Sequence, residues 1–254
     1  MFKGVIVFLL AISFSIIAGD NIQNFSYGKV NWSKKVIIVT GSGAPKLKSK
    51  SPSQARLLAE RAAKLDAYRN ALEVIKGLKI KSSLSIEKAM KGDKTVATQV
   101  QGAIRGGVEK GKKYYDDGGV DIILEIPLDG ILPLNKFLSK DSKKLVSGKE
   151  KKYTSLVINL LNFKYDKVLL PVIKNESGKT VYSLGTSKKG TVRYYKNISD
   201  AEKLTGESPL VIEAKSLSKK DNSIIISDDD SKKIISGDVN LDFLTEGNVI
   251  FITK

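Results

Sequence analysis

Between Ser51 and Gly77 apolar residues recur at spacings of three and four: Leu58, Ala62, Leu65, Tyr68, Leu72 and Ile75. That period predicts a long amphipathic helix. Ser51 is placed to cap it, with Pro52 at the first helical position, Gln54 at the capping-box position and Gly77 as the stop. On this reading Leu58, Leu65, Leu72 and Ile75 face a sheet, so that Leu65→Asp would bury an unpaired charge and destabilise the domain. Arg56, Glu60, Lys64 and Lys76 then point to water, with Arg61 and Arg69 at the margins.

Strand patterns flank this helix. Val36 to Thr40 is a β-branched run that stops at Gly41-Ser42-Gly43, which predicts a buried strand and then a turn. From Val120 to Pro127, Val120, Ile122, Leu124 and Ile126 alternate toward one face. Asp116-Asp117-Gly118-Gly119 joins that strand to an extended segment, Val108 to Tyr115. Between helix and hairpin, Leu78 to Met90 alternates partly in the strand manner, and Val96, Val100 and Ile104 place a helix over Lys94 to Arg105. Ahead of all this, Asp20 to Lys35 is polar with isolated Phe25, Tyr27 and Trp32, and predicts an extended lead-in.

Lysines crowd the stretch from Leu134 to Lys152, which suits a solvated linker. Beyond it, strands are predicted at Leu156 to Leu161, Val192 to Tyr195, Leu210 to Ala214, Ile224 to Ile226 and Val249 to Thr253. Val168 to Ile173 and Val181 to Leu184 form a hairpin around Asn175-Glu176-Ser177-Gly178. Short helices start at Ser199 and Ser227 and stop at Gly206 and Gly237. The expected fold is α+β in two small domains: residues 36–130, a long helix on an antiparallel or mixed sheet, and residues 153–254, β-rich with short helices. Residues 20–35 are the lead-in and 131–152 the linker.

Residues 1–19 read as a signal peptide, with Lys3, the apolar run Val5 to Ile17, and small Ala18 and Gly19 before a cleavage point at Asp20. An uncleaved anchor is the alternative, because Ile17 is bulky at the position three before the cut. Export places the protein in the periplasm, peripheral to the outer membrane at most. The chain has no cysteine, which removes disulfides, thiolate chemistry and lipid attachment at a cysteine. It has no histidine either. A net charge of +16 favours anionic lipid, polysaccharide or acidic protein. Nucleic acid is not expected, since export separates the chain from it and the lysines lack an aromatic stacking platform.

Candidate chemistry is sparse. Asp228-Asp229-Asp230 could meet a hard cation, but lacks the EF-hand pattern and far better suits the start of a helix, where negative charge complements the dipole. Consecutive Asp116 and Asp117 suit a turn better than a carboxylate pair. The glycines of Gly102 to Gly107 follow no phosphate-loop pattern and are expected to shape a bend. No catalytic residue, metal or cofactor is expected, and the reading is non-enzymatic. The candidate interaction surface is Arg56, Arg61, Lys64 and Arg69, whose guanidinium groups can grip carboxylates or phosphates.

Gly41-Ser42-Gly43-Ala44 and the helix segment Ala55 to Asn70 (ARLLAERAAKLDAYRN), with Gly77, Gly102, Tyr115, the Asp117-Gly118 turn and the strand Val120 to Pro127, resemble the Lpp-twenty lipoprotein family over about residues 36–130. Flagellar FlgP belongs to that family, and the N-terminal part of flagellar FlgT is similar to it. The resemblance implies a small α+β domain used in envelope assembly: a scaffold component, self-associating or bound to envelope or flagellar proteins, in a basal disk or ring. A binder of anionic envelope lipid or polysaccharide is the alternative. The family's lipid-bearing cysteine is missing here, so lipid anchoring is not carried over.

Overall fold

The structure is a computed structural model that describes residues 19–46, 48–137, 148–149, 152–183, 192–235 and 240–254. The fold is α+β. In the first half the chain runs β1 (Ile22–Phe25), β2 (Gly28–Asn31), β3 (Val36–Gly43), α1 (Pro52–Gly77), β4 (Lys79–Lys81), β5 (Leu84–Ser85), α2 (Ile86–Gly92), α3 (Lys94–Arg105), β6 (Val108–Tyr114) and β7 (Val120–Pro127). Its described residues form an antiparallel five-stranded sheet in the order β1-β2-β3-β7-β6, with α1 against β3 and β7. Ser51 caps α1 by accepting from the Gln54 N–H, and Asp117 accepts from Gly119 N in the β6–β7 turn, both where the sequence places them.

The face that α1 turns to the sheet differs from the one its large residues predict. Ala59, Ala63, Ala67 and Ala71 are the buried stripe, together with Val74 and Ile75. Leu58 and Leu72 are only half-buried and Leu65 is 58% exposed. The cause lies in β3. A Cβ on Gly41 would stand 2.0 Å from Ala67 N and 2.3 Å from Ala63 O, and one on Gly43 would stand 2.0 Å from Ala59 O. Helix backbone therefore rests on strand backbone, a gap that admits alanine and no leucine. For the same reason Gly41-Ser42-Gly43 is no turn: the strand runs on to Gly43, which pairs with Val120.

Two other segments depart from expectation. Leu78 to Met90 yields the short pair β4–β5 and then α2, which Ser85 caps by accepting from Lys88 N. The lead-in is a β-hairpin that adds two strands to the sheet, and its Trp32 is fully buried.

The second half contains β8 (Ser155–Asn159), β9 (Val172–Asn175), β10 (Thr180–Ser183), β11 (Arg193–Tyr195), α4 (Glu202–Thr205), β12 (Pro209–Glu213), β13 (Ser216–Leu217), β14 (Ile224–Ile226), α5 (Asp228–Ile235), α6 (Asp242–Thr245) and β15 (Val249–Ile252). Its described strands form a parallel sheet, β11-β15-β8-β12, and a mixed one, β10-β9-β14-β13. Of the lysine-rich stretch, Leu134–Phe137 is a 3-10 turn, while Lys140, Lys143, Lys144 and Lys151 lie outside the described residues, as do Leu184 and Gly237.

The halves share one apolar core that runs from Val30 to Phe251. At its centre the Trp32 ring meets Tyr194 edge-on at 5.3 Å, and Tyr194 packs on Phe251 at 5.5 Å. Backbone groups join them too, Leu169 N and Leu170 N donating to Lys79 O and Ile80 O.

Candidate interaction surface

Because its alanine stripe is committed to the sheet, α1 leaves Leu57 and Leu65 outward, while Tyr68 and Leu72 are partly buried against the core. Helical geometry turns each residue about 100° from the last, so Leu58, Leu65 and Leu72, each seven positions from the next, line one ridge opposite the alanines. Arg61 and Arg69 flank Leu65 on that ridge, and all three are exposed. Leu57 is 59% exposed on the neighbouring flank. Among the candidate residues, then, Arg61 and Arg69 are brought together. Lys64 lies to one side with its ammonium 6.0 Å from the Tyr68 ring.

Arg56 is elsewhere. It reaches over the edge strand, its guanidinium 5.3 Å from the Tyr114 ring centre. There Lys112 donates to Glu60 at 3.0 Å and the Tyr114 hydroxyl donates to the same carboxylate at 3.1 Å. The Lys112 bond is the main reason the Glu60 carboxyl is lowered from its ordinary value; it outweighs the opposing cost of burial, and the Tyr114 bond adds to it. This knot ties α1 to β6. On the opposite flank of α1, Asp66 accepts from Ser42 N and Asn70 donates to Thr40 O, which occupies backbone groups of β3 beyond the end of β2.

The remaining polar candidates hold structure. Asp230 N donates to Ser227 Oγ at the start of α5, where Lys232 and Lys233 pair with Asp229 and Asp230. Gly107 ends the α3 bend with Leu124 and Ile126 close by. Among the described residues no cluster of three or more acidic side chains stands within reach of one metal ion, and no helix is long and apolar enough to cross a membrane.

In open parallel sheets the carboxyl ends of the strands are the usual ligand position. Here the ends of β11 and β15 are covered by the first half. Asn21 Nδ2 donates to Thr253 O and Oγ1, Ser33 Oγ donates to Tyr194 O, and the Tyr195 hydroxyl donates to Ser33 O. Sequence periodicity missed Asn21, Trp32 and Ser33 because they are isolated in a polar stretch. The outward role of Leu65 was announced by the four-residue alanine spacing, Ala59-Ala63-Ala67-Ala71, read together with Gly41 and Gly43.

Fold and surface together define a two-part α+β platform that carries a ridge of leucine and arginine on one rigid helix. Residues 155–254, the second half, match the family model described as the second domain of Treponema pallidum Tp0624. No curated protein matches the chain.

Proposed function

We propose that this is an exported, non-enzymatic protein of the bacterial envelope that acts as an assembly or scaffold component, with the outward ridge of α1 as its binding surface. The observation that carries this reading is the exposure of Leu57 and Leu65 among Arg61, Lys64 and Arg69, on a helix whose other face is locked to the sheet. Leucines held rigidly in water supply an apolar anchor at little entropic cost, and guanidinium groups beside them add bidentate contacts. The ridge is basic, so the partner that complements it is an envelope protein with an acidic, apolar face. Two copies meeting ridge to ridge would oppose like charges, so self-association would use another face. The resemblance of residues 36–130 to the Lpp-twenty family supports a partner in a flagellar basal disk or ring.

Placing a photo-crosslinking amino acid at Leu65 in cells and recovering adducts from the envelope at high salt tests this. A discrete protein adduct, lost in Arg61→Glu/Arg69→Glu, is expected. Absence of protein adducts, with salt-sensitive binding to vesicles of anionic lipid, would replace it with the second reading, a binder of anionic lipid or polysaccharide. The +16 net charge favours that second reading.

A further inference from the structure

Gly19 is docked on the second half. Its N–H donates to Asp200 Oδ1 at 3.2 Å, while the other oxygen, Oδ2, is buried with no hydrogen-bond partner. The next residues are held as firmly. Asp20 accepts from Lys34 at 2.6 Å and from Asn31 at 2.9 Å, and buried Asn21 binds Thr253 and Ser33 Oγ. A carboxylate served by one neutral amide, with its second oxygen dry and unpaired, is an incomplete site, because a buried acceptor without a donor costs free energy.

We propose that the site is completed by the α-ammonium group of Gly19, made when the leader is cut at the Ala18–Gly19 bond. This is one residue earlier than the cut the sequence pattern suggests, and it rests on the reading of the chain as exported with a leader. In that hydrolysis water adds across the peptide bond: its oxygen goes to Ala18, which leaves as a carboxylate, and both of its hydrogens end on the Gly19 nitrogen, which becomes –NH3+. One neutral donor becomes three donors carrying a positive charge, enough to serve both oxygens of Asp200. A cut after Gly19 would instead remove the donor that Asp200 Oδ1 has. Lys196, 3.7 Å from where a Gly19 Cβ would lie, adds positive charge nearby, so the ammonium depends on Asp200 to stay. Processing thereby clamps the lead-in hairpin onto the second half at a bond that the uncut chain cannot make.

The test uses the full chain, leader included, produced in an export-competent bacterial host and purified from the envelope. N-terminal sequencing and intact mass identify the first residue. The rate at which acetic anhydride acylates the α-amine is then followed by mass spectrometry of the N-terminal peptide. We expect Gly19 as first residue and an amine acylated about tenfold more slowly than in Asp200→Asn, as a charge-assisted bond of this kind implies. Inserting one alanine before Gly19 leaves Asp200 intact, moves the amine by about 3.5 Å and should give the same fast rate. A mature chain starting at Asp20 or later, or equal rates in all three proteins, would overturn the proposal. A chain that retains its leader would instead overturn the export reading beneath it.

Discussion

Strand β7 buries Val120, Ile122, Leu124 and Ile126 and leaves Asp121, Ile123, Glu125 and Pro127 outward or half-covered, whereas β15 buries Val249, Ile250, Phe251 and Ile252 without a break. The first belongs to an antiparallel sheet with helices on one face, the second to a parallel sheet covered on both. Each pattern is a direct record of how many faces of the sheet meet the core. What differs further is the material of the packing. The first half seats its long helix with glycine and alanine at backbone contact, while the second packs large side chains around Tyr194 and Phe251. Contact through small residues is geometrically strict and contributes little area, so it tolerates no added atom. Packing through aromatics contributes much area and is weakened by atoms taken away.

The sharpest break of that comparison is Gly41→Val. Any Cβ there would meet the backbone of both Ala63 and Ala67, so α1 must lift off β3. We expect a loss of more than about 4 kcal/mol, seen as failure of the first half to fold in circular dichroism or hydrogen exchange. Phe251→Ala makes the opposite change, a cavity in the second half, and should cost about 3–4 kcal/mol in denaturant titration. If Gly41→Val proved the milder of the two, backbone contact would not be what seats α1.

Trp32→Phe probes the seam. It removes the hydrogen bond to Gln23 Oε1 and part of the edge contact with Tyr194, and should cost about 1–2 kcal/mol. Because Trp32 is the only tryptophan, its fluorescence in the native protein should shift together with the far-ultraviolet signal of both halves. Separate transitions would show that the shared core does not couple them.

Smaller still is Leu65→Asp. On the exposed ridge it should change stability by no more than about 0.5 kcal/mol, although periodicity alone predicts a severe loss.

The least effect concerns pH. Asp93 caps α3, and the hydrogen bond from Lys136, then that from Thr95 N, hold its carboxyl down at about 2 against an ordinary 3.8. The fold favours the ionised form, so this contribution is full above the ordinary value and lost as pH falls through about 2. Carbon-detected titration should find a midpoint near 2 that rises in Lys136→Ala. An unmoved midpoint would show that the Lys136 bond does not form in solution.

Much of the architecture was legible from local rules. Ser51, Pro52 and Gln54 set the start of α1, Asp117 and Gly118 set the β6–β7 turn, and alternation along Val120 to Ile126 set which face is buried, since caps, turns and the period of two are decided by neighbours in the chain. Of the four candidate surface residues, Arg61 and Arg69, read from the sequence at the margins of the charged face, flank the exposed Leu65, while Arg56 lies apart, because its ring partner Tyr114 comes from a distant strand. The orientation of α1 was decided by tertiary structure. Leucine outweighs alanine in any count of hydrophobicity, yet Gly41 and Gly43 close the gap to backbone contact and leave room for alanine alone. Trp32 was hidden for a related reason: its polar neighbours say nothing of Tyr194, which reaches it only when both halves are folded. Sequence determines what short-range chemistry and periodicity can express. Which of two apolar faces is buried, and where an isolated ring finds its partners, depends on the separation and contact of segments far apart in the chain.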